Sequence, residues 1–322
     1  MEIVSAMSST RDCFAEFYHE ASNHIFANPN GVYFSSAVLS GDIRYGICSN
    51  GYLVVLFPKS YFQNSFSIGS SFRFGPPSLY HSELESANYS GVPFFYLSRQ
   101  LDNQYSLLSI LSNLVSTANP HTRVSEFFLL LQSASIRKQE FSVVGLFGEL
   151  VVIDQLINIE PSFLDDWQPS GQSIIDIQPS SSHPPIEVKS TSSSDSRIHS
   201  LSLHQIRYFK EHGDCLLASV QVHELQGGTS CKDLVQSLLS RLNPDSSCFL
   251  YLTHLLASLL DSEQFNDASF DLPTTASTIK YYRPDFSVLS ISSPPPWMIS
   301  AKFNIDFSHF PEICIEQFLH NP

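Results

Sequence analysis

Basic residues are scarce in this chain. Seventeen Lys and Arg stand against 31 Asp and Glu in 322 residues, a formal net charge of −14 with His neutral. Such a chain does not coat nucleic acid by bulk electrostatics, because long-range attraction to a polyanion needs a basic surface. Local phosphate contact stays open through Lys189, Arg197, Arg207 and Lys210. The six cysteines, Cys13, Cys48, Cys215, Cys231, Cys248 and Cys314, form no C-x-x-C pair. That spacing suits neither a zinc site nor a compact disulfide framework. The twelve His form no H-x-x-x-H pattern and no cluster with cysteine. Met1-Glu2-Ile3-Val4 lacks the basic start of a secretory leader. The longest apolar run, Phe249 to Leu260, is interrupted by Thr253, His254 and Ser258 and is too short to span a bilayer. The expectation is a cytoplasmic protein without membrane contact.

What is present is apolar and aromatic. Hydrophobic residues make up 43% of the chain and Phe alone contributes 25, ample for a large core or for two domains. Residues 1–120 read as a β-rich region with docking or substrate reading as its role. Asp42–Cys48 and Tyr52–Phe57 flank Ser49-Asn50-Gly51, a hairpin signal in which Asn-Gly suits a type I′ turn. Further strands are expected at Ser65–Phe74 and Pro93–Leu97, after a short amphipathic helix at Thr10–Glu20. No nucleotide loop, Gly-rich phosphate cradle or catalytic-triad signature occurs there. Residues 121–245 hold the motifs that carry chemistry. Residues 246–322 read as an α+β extension, with a helix at Ser246–Leu260 and strands at Ile279–Tyr282, Phe286–Ile291 and Trp297–Phe307.

The chemistry centres on Asp176 and on Glu187-Val188-Lys189. Ile174–Ile177 and Pro185–Thr191 read as strands joined by a Ser/Pro loop, residues 179–184. Side chains alternate along a strand, so Glu187 and Lys189 share one face while Ile186 and Val188 share the other. A hairpin pairing sets Asp176 nearly opposite Glu187. Two carboxylates held that close repel unless a cation lies between them, and oxygen ligands suit Mg²⁺ or Mn²⁺. Taken alone, the triplet also reads as a solvent-facing strand with an ordinary Glu/Lys pair.

A second feature lies upstream. Val143–Ile153 is apolar on almost every side, so as a helix it is buried. Gly145 and Gly148 cost a helix about 1 kcal/mol each relative to Ala, and are tolerable where a helix lies close against a sheet. Glu149 is the one carboxylate in these surroundings and needs a partner, whether metal, water or lysine. Downstream, Arg197–Leu201 reads as a strand. Ser202 reads as the N-cap of a helix over Leu203–Phe209, and Cys215–Val222 as a buried strand. Arg197 reads either as a phosphate or carboxylate contact or as a solvated strand end, and Gln205 either as a site residue or as plain helix surface.

The stretch Gly-Leu-Phe-Gly-Glu-Leu, then a strand Asp, then Ile-Glu-Val-Lys-Ser-Thr resembles the PD-(D/E)XK nuclease superfamily. In particular it resembles a bacterial family of PD-(D/E)XK motif proteins associated with restriction and phage defence. Ile175 stands where the motif has Pro, and Asp165-Asp166, before the turn-like Trp167–Gly171, competes with Asp176 as the motif acid. The resemblance implies a restriction-endonuclease-like α+β core, in the order helix–strand–strand–strand–helix–strand, with a mixed sheet flanked by helices. It implies a Mg²⁺-dependent (or Mn²⁺-dependent) DNA endonuclease. Asp176, Glu187, the Val188 carbonyl and Glu149 would hold metal, Lys189 would act on water and charge, and Gln205 would assist near the phosphate. DNA is the implied substrate, with a DNA methyltransferase or other defence proteins as implied partners. The oligomeric state stays open, a homodimer included. The alternative is a catalytically inactive subunit of the same fold that binds protein or nucleic acid. Glycoside hydrolysis by paired carboxylates is a weaker third reading, because it has no use for a lysine two residues after the acid.

Overall fold

The structure is a computed structural model of the chain. It describes residues 2–24, 32–40, 42–62, 67–68, 72–75, 78–82, 87–136, 142–167, 174–178, 183–260, 265, 268–286 and 301–320. Contacts divide the chain into two units, Met1–Lys138 with Leu242–Asp261, and Gln139–Arg241 with Ser262–Pro322.

The first unit opens with α1 (Glu2–Asn23), followed by β1 (Val32–Ser40), β2 (Ile43–Cys48), β3 (Leu53–Phe57), β4 (Ser67–Ile68), β5 (Phe72–Phe74), β6 (Ser78–Ser82) and β7 (Ala87–Tyr96). Helices α2 (Leu101–Val115) and α3 (Pro120–Ile136) complete its continuous part. The strands run β3-β2-β1-β6-β7-β5-β4, and β3 also pairs with β7, so five of them close into a ring. At Gly91, β7 leaves β6 and comes alongside β3; a Cβ there would stand 2.5 Å from the Phe57 carbonyl oxygen. The β2–β3 hairpin forms, but not with the two-residue type I′ turn. Cys48 N–H donates to the Tyr52 carbonyl (2.9 Å), Gly51 N–H donates to the Cys48 carbonyl (2.8 Å), and Gly51 has φ 81°. This is a three-residue loop with glycine in the left-handed position, as a bulged turn requires. Much of the phenylalanine is spent here: Phe128 of α3 meets Phe57, Phe62, Phe74 and Phe94 at ring-centroid distances of 4.8–5.9 Å.

The second unit holds the motifs. It comprises α4 (Val143–Ile159), α5 (Phe163–Asp166), β8 (Ile186–Thr191), β9 (Ile198–Ser202), α6 (Leu203–His212), β10 (Leu216–Gln221), β11 (Glu224–Thr229) and α7 (Cys231–Leu239). The chain then returns to the first unit for α8 (Ser247–Leu260), which packs on α3 and α2 and accepts the Tyr96 hydroxyl at Leu260 O (3.3 Å). Neither unit is therefore one continuous stretch, and this helix does not group with the C-terminal segment as a linear partition has it. The second unit resumes with α9 (Leu272–Ser277), β12 (Lys280–Tyr282), β13 (Lys302–Asp306), β14 (Glu312–Ile313) and α10 (Ile315–His320). Of the strands expected beyond Tyr282, all of Phe286–Ile291 except Phe286, and residues 297–300 of the next, lie outside the described residues.

Its sheet runs β14-β12-β10-β8, with β8 and β10 parallel and the other pairs antiparallel. Parallel neighbours need a crossover, which β9 and α6 supply. β9 pairs with β13 in a separate two-stranded ribbon. Ser202 caps α6 in a full capping box with Gln205, and Gly213 (φ 68°) ends it. The fold is a mixed α+β arrangement of the restriction-endonuclease-like kind.

Helix α4 is apolar all round because β8, β10, α5, α7 and α9 pack around it. Gly148 marks its closest approach to the sheet: a Cβ there would lie 1.8 Å from Ser190 Oγ and 2.8 Å from Ser190 Cβ. Gly145 has a different reason; it sits in the first turn, its N–H capped by Ser142 Oγ at 3.3 Å, with room for a side chain. Gly148→Ala should therefore destabilise the second unit by about 1–3 kcal/mol through overpacking, outweighing a helix-propensity gain of about 1 kcal/mol. Gly145→Ala should cost nothing. Equal denaturation midpoints for both variants would refute this packing account.

Candidate active site

Strand β8 positions the central pair. Glu187 and Lys189 lie on its one face, and Lys189 Nζ stands 2.5 Å from Glu187 Oε1. Glu187 is 1% exposed. Gln205 Nε2, one turn into α6, donates to the same Oε1 at 2.5 Å. The Gln205 amide is otherwise occupied: Nε2 also reaches the Ile174 carbonyl (3.3 Å), and Oε1 accepts the Ser202 N–H (2.9 Å). Gln205 is thus a brace for Glu187. The other oxygen, Glu187 Oε2, is buried with no hydrogen-bond partner among the described residues.

Asp176 does not sit in a regular strand. Residues 174–176 are bent, and only Ile177 takes a ladder position, exchanging N–H···O bonds with Ile186 (2.9 and 3.0 Å). The next rung would join the Ile175 carbonyl to the Val188 N–H. Instead Asp176 Oδ2 accepts Val188 N–H at 2.8 Å, and the Ile175 carbonyl accepts Gln178 Nε2 at 2.8 Å. The aspartate side chain has replaced the backbone at that rung, which ends the strand and lays the carboxylate along the outer edge of β8. Glu187 and Lys189 turn their peptide groups toward β10. Val188 turns its own toward Asp176, so the Val188 carbonyl faces the same edge.

Glu149 comes in from α4 and is in electrostatic contact with Asp176, Glu187 and Lys189. Three carboxyl groups thus face one ammonium. Burial, then Asp176, push Glu187 up to about 8. Burial and the two neighbouring carboxylates push Glu149 well above the usual range, and burial raises Asp176 against the opposing pull of Lys189. Burial by itself would lower Lys189, but Glu187, Asp176 and Glu149 outweigh it and hold it above 10.5, a charged ammonium.

The donor set is all oxygen, carries excess negative charge and contains an orphaned carboxylate oxygen, which suits a hard divalent cation. Among the described residues no three His, Cys, Asp or Glu side chains converge into a ready-made metal cage. Mg²⁺ does not require one, because it is commonly held by one or two carboxylates with water and substrate phosphate completing its shell. Asp176, Glu187 and the Val188 carbonyl meet that requirement, with Glu149 behind them.

A family model described as “Putative PD-(D/E)XK family member, (DUF4420)” matches residues 120–308, more than half of the chain. The chain belongs to this family. No curated protein and no solved structure matches it. In this DUF4420 member the second unit therefore carries a nuclease-like fold, and among its described residues no helix is long and apolar enough to cross a membrane.

Several other residues stand elsewhere. Arg197 is fully engaged within the fold, donating to Ser219 O and Oγ (both 2.9 Å), Gln221 Oε1 (3.2 Å) and Thr278 O (2.6 Å). It staples β10 to residue 278. Asp166 pairs with His183 Nε2 at 3.0 Å. His199 bonds Ser219 Oγ at 2.7 Å, and burial lowers it to about 4, so it is neutral. The Cys215 and Cys231 thiols are buried and pushed up to about 12. None of these three offers a ligand, so His199→Ala, Cys215→Ala and Cys231→Ala should each bind Mn²⁺ as the parent does. A folded variant that no longer binds would mean the ligands have been misassigned.

Proposed function

We propose that this protein is a Mg²⁺-dependent or Mn²⁺-dependent endonuclease that hydrolyses phosphodiester bonds in DNA. The observation that carries the reading is the meeting of Asp176, Glu187 and Lys189 at the edge of β8, with Glu187 Oε2 buried and unpartnered. Asp176, Glu187 and the Val188 carbonyl would hold the cation, with Glu149 in support. The cation, when bound, supplies charge to polarise the phosphate and lower the pKa of a water. Lys189, held charged by its carboxylate neighbours, stabilises negative charge on the phosphate oxygens and orients the water; a group that keeps its proton so firmly is a poor general base. Gln205 fixes the Glu187 carboxylate, so that only one of its oxygens is free to change partners. A cytoplasmic restriction or phage-defence setting, with a DNA methyltransferase or another basic partner, belongs to the same proposal. It is supported by the motif resemblance and by the net charge of −14, which disfavours tight binding to bare DNA. The test is conversion of supercoiled plasmid to nicked or linear forms in Mg²⁺ or Mn²⁺ against EDTA. Activity that survives EDTA refutes the metal-dependent reading. Metal binding with no cleavage of single- or double-stranded DNA, alone or with partners, favours a binding subunit of the same fold.

A further inference from the structure

Strands β9 and β13 stand apart from the four-stranded sheet as a two-stranded antiparallel ribbon. Residues directly opposite in such a pair share a face, and the two faces differ. On the inner face His199 and Leu201 are buried; Leu201 joins the core of Phe209, Tyr282 and Phe307, and Ile305 packs against it. The outer face pairs Ser202 with Lys302 and Ser200 with Asn304. Ser200, Lys302 and Asn304 are exposed, and among the described residues their side chains have no hydrogen-bond or ion-pair partner. Other cations of this unit are spent within the fold: Arg241, Lys280 and Arg283 each pair with an acid, and Arg197 is fully engaged. The ribbon also ends at the acidic cluster. Ser202 N–H donates to Gln205 Oε1 at 2.9 Å, and Gln205 Nε2 donates to Glu187 Oε1 at 2.5 Å.

We propose that the outer face of this ribbon reads base edges in the major groove of duplex DNA beside the bond that is cut, with Lys302 and Asn304 as the specificity-determining residues. This rests on the DNA-cleaving reading above. The groove is about 12 Å wide and admits a two-stranded β-ribbon. The side chains suit base edges better than the phosphate backbone. A backbone-binding surface needs several cations, and Lys302 is the one cation on this face. Lysine meets the two acceptors of guanine, the asparagine amide matches the donor and acceptor of adenine, and a serine hydroxyl serves either. Exposed Ile198, next along the same face, offers an apolar contact to a thymine methyl. Asp306, opposite Ile198, is turned to Ser308, whose N–H and hydroxyl it accepts at 3.0 and 2.7 Å. The order along the ribbon sets the order along the DNA. Lys302 lies at the end joined to Glu187 through Ser202 and Gln205, and Asn304 is about 7 Å further on. Lys302 should therefore read a base nearer the cut than Asn304 does.

The test is cleavage of a random-sequence duplex library in Mn²⁺, with the cut ends sequenced, beside a Mn²⁺ titration of each protein. The parent should show base preferences next to the cut. Asn304→Ala should weaken one of them, at an adenine, by about tenfold. Lys302→Ala should weaken another by a similar factor, at a guanine nearer the cut. Both variants should bind Mn²⁺ as the parent does, because neither residue touches the acidic cluster. Cleavage without base preference, or preferences unchanged in both variants, overturns the proposal. So does an equal loss of cleavage at every sequence, which would make the ribbon a support for the site and not a reader. Loss of self-association in the variants with the cleavage pattern unchanged would assign the face to a second copy of the chain. A parent that cleaves no DNA, alone or with partners, overturns the DNA reading together with this one, whereas cleavage indifferent to the ribbon overturns this one alone.

Discussion

Lys189→Ala should uncouple cleavage from cation binding. The ammonium meets Glu187 and no carbonyl or metal-ligand role falls to it, so its loss removes charge stabilisation at the phosphate. A reduction of about 10²–10³-fold in the single-turnover rate is expected, the size seen when one preorganised donor to a developing charge is removed. Mn²⁺ affinity should stay the same or rise, because a positive charge beside the site has gone. Glu187→Gln should behave differently. It keeps the side-chain volume and an oxygen for Lys189 and Gln205, but cannot release a proton to present a negative charge to a cation. Both Mn²⁺ binding and cleavage should then be lost. Parental cleavage by Lys189→Ala would remove that residue from the chemistry. Parental binding and cleavage by Glu187→Gln would remove the whole cluster.

The metal-free protein should lose stability as pH rises through neutrality. Glu187 keeps its proton in the folded state up to about 8, against 4.5 when unperturbed. Between those values the unfolded chain has released a proton that the folded chain still holds, so stability falls with increasing pH. Glu149 and Asp176 are raised as well and add to the same slope. His199 works the other way, because its depressed value favours the folded state as pH rises from about 4 to 6.5. The clean window is therefore pH 6.5 to 8. At about 1.4 kcal/mol per unit for one group, the loss there is about 2 kcal/mol. A saturating divalent cation displaces these protons and adds its own binding energy to the folded state, so the slope should vanish and the melting temperature should rise. Melting in EDTA that is flat or rises over this window would contradict the buried-acid account.

The sequence made the motif chemistry legible because the motif is local. Glu187 and Lys189 lie two apart on one strand, and the period of two alone places them on one face. Helix α4 was legible from its unbroken apolar character, and α6 from the Ser202 cap. The hairpin was legible at Asn50-Gly51, but its loop is one residue longer, closed by the Cys48 N–H to the Tyr52 carbonyl and by the Gly51 N–H to the Cys48 carbonyl. Asp176 could be paired with Glu187 in sequence, yet not the manner of the pairing, because a side chain standing in for a backbone carbonyl leaves no periodic trace. Arg197 looked available for phosphate; its four acceptors come from residues 22 to 81 positions away, and no local pattern encodes them. The return of α8 to the first unit was hidden for the same reason. An apolar helix announces that it will be buried, not against which partner.

The central claim is that this acidic cluster exists to take a divalent cation, and direct titration of Mn²⁺ at pH 8 into the parent and Glu187→Gln proteins tests it. The account predicts saturable binding to the parent with release of protons from the carboxyl groups, and no binding to the folded variant. Equal binding by the two proteins, or none by the parent, would contradict it.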